Sequence, residues 1–153
     1  MNRRVEKLIA SVGGVGYLSL APGTWGAIAA LLAWGVLHQL LVFTPVLQVL
    51  AVIVFLIIGL WSSIRLENLW GKDPSQIVID EWVGMWMTCL FLPFSWKILL
   101  LALVVFRILD IWKPLYIRKA EKLKGGWGVM LDDVMAGIIG NVLIHFLIWI
   151  IYK

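Results

Sequence analysis

Two apolar runs without a charged residue, 24–43 and 46–64, constrain this chain more than any other feature of its sequence. They are separated only by Thr44-Pro45, a dipeptide typical of a tight reversal. Each run is long enough for a helix that crosses the ~30 Å hydrocarbon core of a bilayer. Of all residues, 62% are hydrophobic and 14% are charged, whereas soluble domains carry about 25% charged residues. The sequence therefore predicts a helical membrane protein.

Three further apolar segments follow a polar loop over residues 65–76. Segments 82–92 and 98–106 are short, and each gains length if its helix continues into its charged flank. We therefore expect these two segments to form a helical hairpin that is partly buried in protein. The last segment, 134–152, is long enough to span the membrane.

The N-terminal residues 3–12 place apolar side chains at helical spacing and keep their cations elsewhere, which is typical of an amphipathic helix on an anionic membrane face. Pro22-Gly23 then signals a turn, and Thr24 can cap the helix that begins after it. We predict an all-α, polytopic helical membrane protein with about five membrane-embedded helical segments plus an N-terminal amphipathic helix. All 153 residues are expected to form a single domain.

The basic residues orient these segments in the membrane. If the N-terminus lies inside, only Lys97 and Lys153 of the 13 Lys and Arg residues fall outside, as the positive-inside rule requires. All nine acidic residues also fall on the cytoplasmic side. The net charge of +4 therefore reflects topology and does not indicate a nucleic-acid partner.

The first candidate site is IVIDEWVG, where Asp80 and Glu81 enter a helix at its start. Carboxylates are favoured there by the helix dipole, so a purely structural role is one interpretation. The functional interpretation rests on the apolar sequence from Trp82 onward, which leaves the pair at the rim of a membrane helix. Gly84, one turn after Asp80, would clear space for a neighbouring helix or a ligand.

The second candidate site is FRILDIWKP, where Arg107, Asp110 and Lys113 recur every three residues along one side of a helix that ends near Pro114. This spacing also suits an intrahelical ladder of salt bridges at a cytoplasmic helix end. In the functional interpretation, Asp110 holds a metal while Arg107 and Lys113 neutralise a phosphate.

The third candidate site is GGWGVMLDDVMAG, in which Gly125, Gly126 and Gly128 allow unusual backbone angles and close approach of a ligand. Asp132 and Asp133 then open the last membrane span. Two adjacent carboxylates repel one another and would raise one pKa unless a cation lies beside them. Capping of the helix explains only one of the two, so the pair indicates a metal or phosphate site.

Together, five carboxylates and two cations converge from three segments at the same predicted depth. Hard oxygen ligands suit Mg²⁺, which usually keeps water and binds phosphate oxygens, so hydrolysis of a phosphoester is a natural function. Membrane-embedded acids also mark cation pathways in transporters, and that function remains an alternative. A structural membrane subunit is a third possibility, but it gives no reason for so many acids.

Four segments resemble, in order and approximate spacing, the motifs of the phosphatidylglycerophosphatase A family of bacterial inner-membrane lipid phosphatases. They are PGTWGA (22–27), IVIDEWVGMW (77–86), FRILDIWKP (106–114) and GGWGVMLDDVMAG (125–137). The resemblance covers nearly the whole chain, and four linked motifs are more specific than any one of them.

The resemblance implies Mg²⁺-dependent hydrolysis of phosphatidylglycerophosphate to phosphatidylglycerol and phosphate, at the cytoplasmic face of the inner membrane. The implied partners are the lipid substrate and the membrane. By position it assigns the acidic residues to catalysis and metal binding: Asp80, Glu81, Asp110, Asp132 and Asp133. Four residues of the same motifs are assigned to the substrate phosphate: Arg107, Lys113, Thr24 and Gly126. Which acid binds metal and which activates water is left open.

Overall fold

The computed structural model describes residues 3–71, 74–114, 117–120, 123, 126–151 and 153, and every regular element within these ranges is helical. This confirms the all-α prediction. A 3₁₀ turn, Val15–Tyr17, lies between the first two α-helices. The α-helices are α1 (Arg4–Ala10), α2 (Pro22–Leu40), α3 (Pro45–Trp70), α4 (Ile79–Cys89), α5 (Trp96–Trp112), α6 (Ile117–Ala120) and α7 (Gly126–Ile151).

Two of the described helices are long and apolar enough to cross a membrane. They are Pro45–Glu67, within α3, and Gly126–Ile151, which is α7. These helices contain the predicted segments 46–64 and, as far as residue 151, 134–152. The other three predicted segments overlap α2, α4 and α5, which have 19, 11 and 17 residues, but their ends differ by two to six residues.

Both short predicted segments continue into their charged flanks, as the sequence suggested, but only 98–106 lies wholly within a longer helix. Residues 90–92 of the segment 82–92 were predicted as helical and lie beyond the end of α4 at Cys89. α4 begins at Ile79, so Asp80 and Glu81 lie in its first turn. α5 runs on to Trp112 and includes Arg107, and Lys113 ends it in a left-handed conformation with φ of 45°. The charged residues of both motifs except Lys113 are therefore held on regular helices.

Two predicted helix starts were wrong. α2 begins at Pro22, at the first helical position, so Thr24 lies inside the helix and no side chain caps its start. α7 begins at Gly126, eight residues before the predicted span, because glycines 126 and 128 are helical. The break predicted at Thr44-Pro45 separates α2, which ends at Leu40, from α3, which begins at Pro45. Thr44 caps α3, since its Oγ1 accepts a hydrogen bond from the Leu47 backbone N–H at 3.4 Å.

α4 is the central helix, with α2 on one side and α7 on another. The Trp86 indole N–H donates to the Ala30 carbonyl of α2 at 2.8 Å, and the rings of Trp34 and Trp86 meet edge-on at 5.4 Å. On the α7 side, a side chain on Gly84 or Gly137 would collide with the opposing helix. These glycines let α4 and α7 approach closely, which confirms the space-clearing role predicted for Gly84.

α4 ends after 11 residues, about 16 Å, so it can cross only about half of a bilayer core. The backbone groups at this end are satisfied by side chains from the two long helices. The Asn141 amide donates to the carbonyls of Thr88 and Leu90 at 3.0 and 2.8 Å, and Gln48 Oε1 accepts from the Phe91 N–H at 3.0 Å. Irregular backbone at membrane depth is tolerated where protein satisfies it in this way. The C-terminal end of α4 is therefore held by side chains of α3 and α7.

Substituting Asn141 tests this support. Asn141→Leu removes both hydrogen bonds to the end of α4 while keeping a side chain of similar size, so we expect a loss of about 1–3 kcal/mol of stability. Thermal unfolding of the purified protein in detergent measures the effect. Val142→Leu, at a neighbouring exposed position, is the matched control. An unchanged midpoint for Asn141→Leu would show that these bonds do not hold α4 in place.

Candidate active site

The site is built first from the start of α4. Asp80 is buried, and its Oδ1 accepts a hydrogen bond from the Glu81 backbone N–H at 3.0 Å. The side chain of Glu81 is 15% exposed. The first turn of a helix favours negative charge, so the N-terminus of α4 is a favourable position for both carboxylates.

The second contribution comes from α7. Asp132 and Asp133 are both buried, and Asp132 Oδ1 accepts a hydrogen bond from the Asp133 backbone N–H at 3.0 Å. A Cβ on Gly84 would lie 2.7 Å from the Asp133 carbonyl oxygen, so the absence of a side chain there allows Asp133 to approach α4. As a result, Asp80, Glu81 and Asp133 each have a carboxylate oxygen within 4.8 Å of the others. We call these three residues the acidic cluster.

The third contribution comes from α5, which supplies the cations. Arg107 Nη1 lies 3.7 Å from Glu81 Oε1, and the same nitrogen forms an ion pair with Asp110 one turn later. At the end of α5, Lys113 Nζ donates to Asp132 Oδ2 at 2.6 Å. The left-handed backbone at Lys113 takes this residue off the helix, so the predicted three-residue ladder includes only Arg107 and Asp110.

The five predicted acids therefore fall into two classes. Asp110 and Asp132 each pair closely with a cation of α5. Glu81 has a longer contact with Arg107, and no described cation pairs with Asp80 or Asp133. The geometry thus distinguishes three carboxylates that could hold a metal ion from two that orient Arg107 and Lys113.

The electrostatics of the α4 acids reflect their burial among other carboxylates. Burial raises the pKa of Asp80 well above its usual range, and the neighbouring carboxylates, above all that of Glu81, raise it further. Burial also raises the pKa of Glu81, and the charge of Asp110 acts in the same direction, whereas the hydrogen bond with Asp80 and the charge of Arg107 lower this pKa. Both ionised forms are disfavoured as they stand, so a cation in the acidic cluster would relieve the repulsion.

Two polar atoms at the site are buried without a hydrogen-bond partner among the described residues: Glu81 Oε2 and Arg107 Nε. A buried acceptor or donor without a partner costs about 1–3 kcal/mol. One is an acceptor suited to a cation and the other a donor suited to an anion. These two atoms could therefore bind a ligand that carries both a cation and an anion, such as a metal ion with a phosphate.

The PGTWGA motif contributes through a residue that the sequence interpretation did not single out. A Cβ on Gly23 would collide with Glu81 Oε1 and would lie 3.2 Å from Arg107 Nη1. Because Gly23 has no side chain, the start of α2 can pack directly against Glu81 and Arg107. Thr24 is the next residue of α2 and lines the same groove as Arg107. The sequence feature that could have identified Gly23 is its position in the PGTWGA motif. Pro22-Gly23 was interpreted from the sequence only as a turn.

Gly126 is the predicted phosphate contact that the structure does not bring to the cluster. A Cβ on Gly126 would lie 2.6 Å from the Ile64 backbone nitrogen, so the close approach that it allows is to α3. It also precedes Asp133 by seven residues, about 10 Å along α7. Gly125, predicted beside it, lies outside the described residues.

Comparison with known proteins identifies relatives over most of the chain. The phosphatidylglycerophosphatase A family matches residues 8–148. An Escherichia coli protein named phosphatidylglycerophosphatase A is 37% identical over 138 residues, 88% of this chain and 78% of that protein. A Haemophilus influenzae protein of the same name is 34% identical over 133 residues, 86% of this chain and 81% of that protein.

Another relative has a different name. A Bacteroides thetaiotaomicron protein named "Putative phosphatidylinositol-3-phosphatase" is 44% identical over 150 residues, 94% of each chain. Both names describe removal of a phosphate from a lipid headgroup. No solved structure matches the chain.

Proposed function

The chain belongs to the phosphatidylglycerophosphatase A family, and we propose that it hydrolyses phosphatidylglycerophosphate to phosphatidylglycerol and phosphate. The observation that carries this function is the acidic cluster of α4 and α7 with Arg107 of α5 beside it. In the reaction, the oxygen of a water molecule attacks phosphorus and the bond from phosphorus to the lipid oxygen breaks. The lipid oxygen leaves with a proton, as the alcohol of phosphatidylglycerol.

We assign Mg²⁺ to Asp80, Glu81 and Asp133. The residues fit a hard divalent cation, because three carboxylates offer neighbouring oxygens and Glu81 Oε2 has no hydrogen-bond partner in the described part of the chain. When bound, Mg²⁺ stabilises charge on the phosphoryl group and favours deprotonation of water. Asp110 and Asp132, which the sequence placed in the same metal set, are instead proposed as positioning residues.

The cations of α5 bind the phosphate in this proposal. Asp110 and Glu81 hold the guanidinium of Arg107, and its unpartnered Nε is left to donate to a phosphate oxygen. Asp132 holds Lys113 at the end of the same helix. A carboxylate of the acidic cluster accepts a proton of the attacking water and returns it to the lipid oxygen as the bond to phosphorus breaks. Asp80, Glu81 and Asp133 thus bind the cation or move a proton, while Arg107 and Lys113 bind the anion.

A second substrate is favoured by one observation, the name of the Bacteroides thetaiotaomicron relative, so phosphatidylinositol 3-phosphate is tested beside phosphatidylglycerophosphate. Purified protein is assayed for phosphate release from each lipid in identical mixed micelles. We expect kcat/KM to be at least about tenfold higher for phosphatidylglycerophosphate. A higher kcat/KM for phosphatidylinositol 3-phosphate would leave the protein a lipid phosphatase but change its proposed substrate. Release from neither lipid would overturn the proposed function.

Metal removal provides a second test. Excess chelator should abolish phosphate release and added Mg²⁺ should restore it, because the acidic cluster without a cation repels the substrate phosphate. Phosphate release is measured before chelation, in chelator and after Mg²⁺ is returned. Full turnover in excess chelator would remove the metal from the mechanism.

A transporter function remains less well supported. A transport pathway needs its charged groups near the membrane midplane on discontinuous helices. Here the acids lie at the start of α4 and the cations at the end of α5, and two acids are paired with fixed cations. Such an arrangement suits an anionic headgroup better than a conducted cation.

We further propose a single membrane domain of five embedded segments, with the site at the cytoplasmic face of the bacterial inner membrane and α1 on the membrane surface. On α1, Val5 and Leu8 are each 59% exposed, whereas Glu6 and Ala10 are buried. The apolar side chains therefore point away from the protein, where lipid would lie. The basic residues support this orientation, as the positive-inside rule requires.

A reporter fused after Lys153 tests the topology. Three spans from a cytoplasmic N-terminus, with the α4–α5 hairpin returning to the side from which it entered, place this end outside. A periplasm-active enzyme should therefore be active there and a cytoplasm-active one silent. The matched control is the same pair of reporters fused at the N-terminus, which should give the opposite result. Cytoplasmic activity at both ends would overturn the five-segment topology and leave the chemistry untouched.

A further inference from the structure

An open apolar groove of about 590 Å³ runs along α5 beside the site. Its volume is within the range of small-molecule sites, roughly 300–1,000 Å³. Its walls are mostly apolar residues of α5, among them Val104, Ile108, Ile111 and Trp112. The polar residues in its lining are Thr24 and Arg107.

The spacing of the lining residues gives the groove its direction. Val104, Ile108 and Trp112 recur every four residues, so they form a row along one side of α5, and Arg107 and Ile111 form a parallel row. The groove therefore follows the helix axis. Val104 and Ile108 are each 54% exposed, and Trp112 is 73% exposed, so this surface is open along its length.

Arg107 joins the groove to the site. Its side chain is only 17% exposed and turns from the groove wall to Glu81 and Asp110. A ligand in the groove thus meets a guanidinium that also contacts the acidic cluster. A lipid phosphomonoester matches a cation beside an apolar groove, because it has an anionic group at one end and a hydrocarbon chain at the other. When the phosphate of a lipid lies at Arg107, its hydrocarbon chain must extend over an adjoining surface. This groove adjoins Arg107 directly.

We propose that this groove binds an acyl chain of the phospholipid substrate and so positions its phosphate at Arg107. The inference rests on the proposed function, because it requires a lipid substrate. The chain lies over Ile108 and Val104, toward the apolar part of α5, and the glycerol lies near Thr24 and Arg107. The groove is thus a substrate-specificity site and not a general lipid contact.

The test fills the groove and compares two substrates. Ile108→Trp adds bulk at a half-exposed position, and Val142→Trp adds the same bulk at a 61% exposed position on α7 as the matched control. Each protein is assayed on dioleoyl phosphatidylglycerophosphate in mixed micelles and on its water-soluble deacylated headgroup. For Ile108→Trp we expect KM for the lipid to rise about tenfold or more with kcat within about twofold, and no change on the headgroup. Val142→Trp should match the wild type on both.

Unchanged lipid kinetics in Ile108→Trp, or equal losses on both substrates, would overturn the proposal. If Ile108→Trp does not fold, Val104→Trp replaces it in the same groove. A direct measurement is independent of turnover: phosphatidylglycerophosphate with a diazirine in its acyl chain is photo-crosslinked to the wild type in phosphatidylcholine vesicles. Labelling of the α5 groove should fall with excess unlabelled phosphatidylglycerophosphate and not with added phosphatidylcholine. Labelling insensitive to both competitors, or absent because a second copy covers the groove, would reject the site even if the protein is a phosphatase.

Should the wild type release phosphate from no lipid while the competed labelling persists, the proposed function fails and the groove stands as a binding site for the anionic lipid. The two failures are therefore distinguishable.

Discussion

Asp133→Asn is expected to lower kcat/KM for phosphatidylglycerophosphate by about 10³-fold while raising the thermal stability of the protein in chelator. The substitution keeps the shape of a buried side chain and removes one charge from a cluster in which no described cation pairs with Asp80 or Asp133. Less repulsion stabilises the metal-free fold, and the same lost charge weakens the site for a divalent cation. The carboxylate repulsion that destabilises the metal-free fold is therefore the same property that lets the site bind a divalent cation.

The measurements are phosphate release and thermal unfolding of the same detergent preparations, with Glu67→Gln as the control. Glu67 is an acid of α3 outside the acidic cluster, so its substitution should change neither quantity. Turnover near the wild-type value in Asp133→Asn would make the acid structural. A loss of stability together with activity would indicate that Asp133 is needed for packing and not for chemistry.

Asp110→Asn separates the two classes of acids. It removes the close partner of Arg107 and should also reduce turnover strongly, but through the position of the guanidinium. The Mg²⁺ concentration for half-maximal activity should rise in Asp133→Asn and stay near the wild-type value in Asp110→Asn. Equal shifts in both variants would return Asp110 to the metal set that the sequence predicted.

Much of the helical architecture could be predicted from the sequence because its signals are local. Uncharged runs define much of α2 and of α3, and the acids before Trp82 mark the first turn of α4. The predicted polar loop over 65–76 was wrong for residues 65–70, which continue α3 as far as Trp70. The start of α7 could not be predicted, since Gly126 and Gly128 favour loops unless another helix fills the space that they leave. That helix is α3, which contacts Gly126 through Ser63 and Ile64 and is distant in sequence.

The membership of the site could be predicted, but not its internal pairing. Charged residues in an apolar chain must gather at one depth, so Asp80, Arg107 and Asp133 were placed together by the cost of burying charge. Lys113 and Asp132 pair across 19 positions of sequence, and this contact depends on where α5 ends relative to α7. Gly23 was missed for a similar reason, because its contact partners, Glu81 and Arg107, lie on other helices.

Arg107→Lys is expected to lower kcat about 10–100-fold while changing KM by less than about threefold. The guanidinium contacts Glu81 and Asp110 through one nitrogen and keeps Nε free of any described partner. Lysine keeps the charge as a single point on a flexible stem, so it can attract the phosphate without fixing its orientation. Steady-state kinetics on the lipid in mixed micelles measure both constants.

Lys113→Ala should have the complementary effect, because Lys113 lies at the end of α5 and contributes charge more than geometry. We expect KM to rise, with a loss that grows as salt is lowered, since screening no longer masks the missing charge. Lys113→Arg should restore capture, and Arg118→Ala, which removes an exposed cation of α6, is the matched control. If Arg107→Lys keeps its turnover and Lys113→Ala behaves like Arg118→Ala, both cations of α5 serve membrane anchoring. The phosphate would then have to be held by the metal and the backbone alone, and the division of labour between α5 and the acidic cluster would be wrong.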